Sequence, residues 1–397
     1  MDNRLDPWFA NRTMPDPNPA RIPFLDGIRG YAALWVMLGH FSTRTGLRVP
    51  ILESPGIAVD LFMVVSGFLM TQHYFSREPH EPWASPRTWI LFYVRRFFRI
   101  APLYYALLIP SFLAFDFLNE AQREPLKMLV GVDFQRSGIV DAGNVLTHIS
   151  FLFGLIPKYC TILTMPDWSI GLEMQFYAVF PFFMLLAKRW NMFRFCLFGL
   201  GAWGLFRKLS GLARIFAMPS FLPLSLGPFL VGMLLAWAWM QEKGRLTARA
   251  SALLLLMAVT ASLAQDQTKS AATGAIVSGV SVLLAFLFFY EEESMGLGIE
   301  RGVHRVAGFL GNTLARFLAD VSYGVYLLHM LVMVPVLAML CKTPAFVQQR
   351  APIRFAILTM VAGALTYGGA WILFRMIEMP GIRVGKALVA SKRFTKS

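Results

Sequence analysis

The sequence predicts an all-α fold: a polytopic membrane protein of about ten transmembrane helices with both termini in the cytoplasm. Three observations lead there. The 397 residues are 56% hydrophobic and only 15% charged, and the mean hydropathy is +0.54, a balance that suits a lipid-dissolved chain rather than a soluble one. Apolar stretches long enough to cross a hydrocarbon core of about 30 Å recur along the whole length. The Lys and Arg between them are concentrated in the loops and tails that an inside N-terminus assigns to the cytoplasm, although the outer loop with Arg207, Lys208 and Arg214 runs against that bias.

Residues 1–25 read as a cytoplasmic tail, since an opening with three Asp, four Pro and no apolar run lacks the pattern of a secretory signal. Spans are expected at about 26–45, 56–75, 100–118, 168–187, 192–206, 219–240, 246–264, 272–290, 321–341 and 354–377, each bounded by charge or by Pro and Gly clusters. Together, residues 26–380 form one membrane-embedded unit. The interval 119–167 contains the apolar stretch Ile149–Ile156, so a folded outer loop dipping partly into the membrane is expected. The interval 291–320 reads as an amphipathic inner surface helix, and residues 381–397 as a basic cytoplasmic tail resting on anionic lipid. No internal repeat is evident, which weakens an inverted-repeat transporter reading.

The net charge of +14 is spread through short loops beside spans, which anchoring explains without nucleic acid. Cys160, Cys196 and Cys341 have no paired spacing, so neither a disulfide framework nor a metal site is indicated.

Polar residues inside the spans carry the chemistry, because ionisable groups are costly in a bilayer. Arg29 and His40 lie eleven residues apart in the first span. At about 100° per residue they face the same way, separated by roughly 16 Å along the axis. Glu173 opens the fourth span in Trp168-Ser169-Ile170-Gly171-Leu172-Glu173, at a depth similar to His40. An acid that fixes one ring nitrogen leaves the other free as a base; alternatively Glu173 pairs with an Arg or with Tyr177 and only holds helices together. Arg95, Arg96 and Arg99 precede the third span and suit a phosphorylated ligand, or simply the basic character of an inner loop. Ser66-Gly67-Phe68 permits close helix packing. Ser322, Tyr323, Tyr326 and His329 form a polar stripe in the ninth span, where His329 is either functional or a satisfied structural group. Glu378-Met379-Pro380 beside Arg375 is expected to give an i,i+3 ion pair and a helix stop.

In this order, the elements resemble the acyltransferase-3 family of integral membrane O-acyltransferases: Leu25-Asp26-Gly27-Ile28-Arg29-Gly30 with His40; Phe62 to Ser66-Gly67-Phe68; Arg95-Arg96 with Arg99-Ile100-Ala101-Pro102; Trp168-Ser169 with Glu173, Phe176 and Tyr177; Ser322-Tyr323 with Tyr326, Leu327 and His329; and Glu378-Met379-Pro380. The family's usual second Phe before Ser-Gly-Phe is Met63 here. The resemblance implies a ten-helix core in the bacterial inner membrane. It would take an acyl group, usually acetyl, from cytoplasmic acyl-CoA to a hydroxyl of a glycan such as exopolysaccharide, O-antigen or a lipid-linked oligosaccharide, and no metal would take part. Some relatives append an extracytoplasmic hydrolase-like domain. This chain ends soon after its last helix, which is expected to mean direct transfer or handover to a partner protein of glycan assembly. Carried onto this chain, Arg29, His40 and Glu173 become catalytic positions, and Arg95, Arg96, Arg99, Ser66, Tyr323 and His329 line the donor passage. Two alternatives remain: a permease using the same buried charges without chemistry, and succinyl rather than acetyl transfer.

Overall fold

A computed structural model describes residues 22–133, 138–241 and 305–391, and everything described is helical, turn or loop. The expected spans 246–264 and 272–290, most of the 291–320 interval, residues 1–21 and residues 392–397 lie outside the described residues.

Proline sets the start of three successive helices. α1 (Pro23–Thr45), α2 (Pro55–Arg77) and α3 (Pro86–Leu113) each have Pro in the first turn, where its missing N–H costs no hydrogen bond and its fixed φ is already helical. α1 stops at Gly46, whose φ of 76° only glycine adopts freely. α3 is followed by α4 (Phe115–Val130) after a bend of 74°. A loop containing α5 (Ala142–Ile149) leads to α6 (Trp168–Trp190), α7 (Met192–Leu209) and α8 (Leu222–Gln241). α9 (Thr313–Cys341) is capped by Asn312, whose side chain accepts from the Ala315 N–H at 2.7 Å. After the short α10 (Pro344–Val347), one helix of 40 residues, α11, runs from Ala351 to Ala390.

Five of these helices are long and apolar enough to cross a membrane, or six if the bent α3–α4 pair is one span. α1 and α7 form where spans are expected but carry Arg29 and Arg44, and Arg194, Arg207 and Lys208, respectively, and fall outside that set. The expected ten are thus not all recovered among the described residues.

Three boundaries differ from expectation. α3 begins at Pro86, so Arg95, Arg96 and Arg99 lie within a helix rather than in a loop before it. α9 begins eight residues before the expected 321, because the Asn312 cap rather than the apolar run fixes its start. Pro380 does not stop α11: it sits in the first turn after the π-helical stretch Phe374–Glu378, where the wider i→i+5 pattern absorbs its missing donor.

Close packing fixes helix directions. α1 and α9 run parallel, with Gly30 against Leu318 and Ala319 and His40 against His329. α2 and α8 are antiparallel; a Cβ at Gly67 would run into the Phe229 carbonyl, and one at Gly232 into that of Val64. α6 runs parallel to α2, since Ser66 meets Glu173 and Glu78 meets Lys188. α3 is antiparallel to α6, with Phe92 against Phe180 and Tyr104 against Asp167.

Candidate active site

These directions bring one end of α2, α3, α6 and α11 together around a cavity of about 200 Å³, bordered by His73, Arg77, Glu81, Trp83, Arg95, Arg96, Arg99 and Lys386. A second cavity of about 120 Å³ continues inward between α1, α2, α3, α6, α8 and α9. Arg96 and Arg99 line both, so the two cavities adjoin at these guanidiniums.

The cations of the outer cavity are of two kinds. Arg95 makes a two-pronged ion pair with Glu81, one arm at 2.7 Å, and Arg99 pairs with Glu378, whose side chain is 1% exposed. Both charges are balanced within the protein. Arg96 has no carboxylate partner among the described residues: it lies 3.5 Å from His73 Nδ1 and over the rings of Phe92 and Tyr177 at 5.9 and 5.6 Å, contacts that orient a cation without neutralising it. Arg77 and Lys386 likewise make no ion pair among the described residues. The passage therefore begins with uncompensated positive charge, suited to an anionic ligand.

Glu173 sits in the inner cavity. Its Oε1 accepts from Ser66 Oγ at 3.1 Å and from the hydroxyl of Tyr177, one turn on; neither donor uses Oε2. Arg29 lines the same cavity, within electrostatic reach of Arg99, Glu173, Asp26 and Glu378, and makes no hydrogen bond or ion pair among the described residues. Tyr323 lines this cavity too and donates to the Ile100 carbonyl at 3.0 Å, tying α9 to α3. At the far end, Tyr326 and Ser169 share a hydrogen bond of 2.7 Å.

His40 and His329 line neither cavity, and reach this end only through Tyr326. Their rings stack with centroids 5.2 Å apart, and His329 is 6.2 Å from Tyr326. His329 is fully buried, and its Nδ1 is 3.1 Å from the Val325 carbonyl. A carbonyl only accepts, so Nδ1 carries the proton, while Nε2 has no hydrogen-bond partner among the described residues.

Three expectations change accordingly. Glu173 is the acid expected beside His40; instead Glu173 is held by Ser66 and Tyr177, and His40 stacks on His329. His329, expected along the donor passage with Tyr323, lines neither cavity, and neither does His40; the His329 ring lies 6.2 Å from that of Tyr326, which does line the inner one. Glu378, expected to pair with Arg375, pairs with Arg99, while Arg375 lies 5.8 Å from the Trp371 ring; the π-helical stretch containing both residues re-aims the glutamate. Arg29, Arg95, Arg96, Arg99, Ser66, Glu173 and Tyr323 do converge on one passage. Sequence reasoning missed Arg77, His73 and Lys386. The first two carried a readable signal: Arg77 and His73 continue the helical face of Ser66 at spacings of four and three.

The family model of the acyltransferase-3 domain, described as an acyltransferase domain, matches residues 22–375. The chain belongs to the acyltransferase-3 family. The family and the long apolar helices make it a membrane protein. Among curated relatives of this family member, the peptidoglycan O-acetyltransferase OatA of Listeria monocytogenes is 27% identical over 174 residues, 43% of this chain and 25% of that protein. Protein 2 in the picA locus of Rhizobium radiobacter is 32% identical over 172 residues, 41% of this chain and 82% of that protein. The matched region thus spans a quarter of the length of the Listeria relative. No solved structure matches the chain.

Proposed function

We propose that this acyltransferase-3 member transfers an acyl group, acetyl in the first instance, from cytoplasmic acyl-CoA to a hydroxyl of a cell-surface glycan, working in the bacterial inner membrane with its termini inside. The observation that supports the donor is the run of the two cavities, from Arg77, Arg96 and Lys386, which make no ion pair among the described residues, past Glu173 to walls of Val59, Phe62, Met63 and Ile170. A donor with a phosphorylated head and a long uncharged arm fits that sequence of environments. From Arg77 to Ser66 is eleven residues of helix, about 16 Å of axial rise, so the arm must be long. Support for acetyl as the group moved and for a glycan as its acceptor comes from the family and from the Listeria relative, which is named as an O-acetyltransferase of peptidoglycan.

In this reading Arg96, Arg77 and Lys386 hold the phosphates, with Arg95 and Arg99 kept in place by Glu81 and Glu378. Glu173 Oε2 accepts from an amide N–H of the arm, a site left open because Ser66 and Tyr177 both donate to Oε1. His40, which lines neither cavity, acts as general base through the hydroxyl of Tyr326, which lines the inner one and relays the proton to it. It takes the acceptor hydroxyl proton as the new C–O bond forms at the thioester carbonyl; the C–S bond then breaks, and the CoA thiolate leaves towards the unpaired Arg29. His329, fixed by Val325, keeps the His40 ring in place through the stack.

Purified protein in lipid nanodiscs should consume acetyl-CoA in the presence of a hydroxylated glycan acceptor, with the glycan gaining one acetyl group by mass. The permease reading requires uptake of a solute into liposomes without acyl-CoA consumption. That result would replace the present assignment.

A further inference from the structure

Along α2, Val59, Met63, Ser66, Met70, His73 and Arg77 recur at spacings of four and three, so they share one helix face. Each lines one of the two cavities, the first three the inner and the last three the outer. The face therefore runs from guanidinium and imidazole, through a hydroxyl, to purely apolar side chains. α6, parallel to α2, offers the matching series Phe180, Tyr177, Glu173 and Ile170, with Phe180 in the outer cavity and the other three in the inner one. The two helices change character at the same level: beyond the Ser66–Glu173 hydrogen bond the walls are Val59, Phe62, Met63 and Ile170, and Tyr326 tied to Ser169 closes the end.

We propose that this apolar end is the acyl chamber and that Met63 sets the length of the acyl group accepted. The inference rests on the reading of this chain as an acyl-CoA-dependent acyltransferase. Met63 is the next residue on the α2 face beyond Ser66, about 4.5 Å further from Arg77, and is 4% exposed. A carbon chain extending past a carbonyl at the Ser66 level meets its thioether first. Val59, one turn further, is β-branched and stiff on a helix, whereas Met63 is unbranched and fills whatever space is left. Two carbons fit short of it, and each added methylene must displace it. A terminal carboxylate on the acyl group would meet Val59, Phe62, Met63 and Ile170, none of them charged, and at the end only the Tyr326 and Ser169 hydroxyls, already bonded to each other, so the chamber selects acetyl over succinyl by offering an anion no cation.

The test compares kcat/KM for acetyl-, propionyl-, butyryl- and succinyl-CoA in nanodisc preparations of the full-length protein, its Met63→Ala and its Met63→Phe variants. The wild type should lose about tenfold or more on each added methylene, the order of discrimination an apolar pocket gives. Met63→Ala should raise the butyryl-to-acetyl ratio by about tenfold, Met63→Phe should lower the propionyl-to-acetyl ratio, and neither should raise the succinyl ratio. If Met63→Ala fails to accumulate in the membrane, Met63→Val applies the same ratio test with a smaller cut. Active variants with wild-type ratios, or a wild type that prefers succinyl-CoA, would overturn the role of Met63 while leaving the acyltransferase reading intact. A wild type that turns over none of the four thioesters would overturn that reading itself.

Discussion

Arg96 and Arg95 are neighbours of the same chemistry with different tasks, because Glu81 already balances one of them. Arg96→Ala should raise the acetyl-CoA KM by roughly tenfold or more, the worth of a charge-assisted hydrogen bond, with a smaller change in kcat. Arg95→Ala should raise it less, as measured by initial rates against acetyl-CoA concentration. His40→Ala should reduce turnover by about 10²- to 10⁴-fold, the usual share of a general base, while acyl-CoA binding followed by equilibrium dialysis stays close to wild type; full turnover in that variant would remove the catalytic role. Glu378→Ala leaves the Arg99 guanidinium without its partner. The loss in thermal unfolding should be about 1 to 3 kcal/mol, at the lower side of a buried-pair deletion because the Arg99 side chain keeps 28% exposure to solvent. Residues such as Arg29 and Glu173 were legible because a charge inside an apolar run stands out against its neighbours. Lys386 was not, since a basic residue beyond the end of a span has an ordinary anchoring explanation. Partners such as Arg99 and Glu378, 279 residues apart, are set by helix packing and leave no local trace.

The helices themselves were largely readable, since eight expected spans correspond to described helices, while the boundaries followed caps and prolines more than hydropathy. Arg95 to Arg99 were expected outside the third span because charge ended the apolar run, yet Pro86 starts the helix nine residues before Arg95. Close helix contacts fix the level at which the two walls of the passage meet. Gly67→Leu would force α2 away from the Phe229 backbone and, by moving Ser66, should reduce activity even where the protein still folds; conversely Gly56, with open space around it, should accept Ala with full activity. In the loop before α6, Asp141 caps α5 by accepting from the Asn144 N–H at 2.7 Å and accepts from Lys158 at 2.9 Å. The Lys158 hydrogen bond and then the Asn144 amide hold its carboxyl down to about 2. A depressed carboxylate contributes its stability above the ordinary value of 3.8 and loses it as pH falls through about 2. Limited proteolysis of this loop should thus stay constant from neutral pH to about pH 4, and Asp141→Ala should speed cleavage across that whole range.

For the molecule as a whole, the bundle joins a cationic end to an apolar pocket backed by two stacked imidazoles, with α1, α3 and α9 running away from the cationic end and α2, α6 and α11 towards it. This polarity is what a donor entering from one face and an acceptor approaching from the other require. Loss of the protein from its host should remove one acetyl mass per modified residue from a surface glycan, and a gain of succinyl in its place would contradict the acyl-chamber assignment. The most direct test of the central claim is acetyl-CoA turnover by the purified protein in nanodiscs with a glycan acceptor, measured as free CoA released alongside acetyl incorporated. The account predicts equal amounts of both, saturable in acetyl-CoA, weakened by Arg96→Ala and cut about 10²- to 10⁴-fold by His40→Ala. Solute transport by the same preparation with neither CoA release nor glycan acetylation would contradict it.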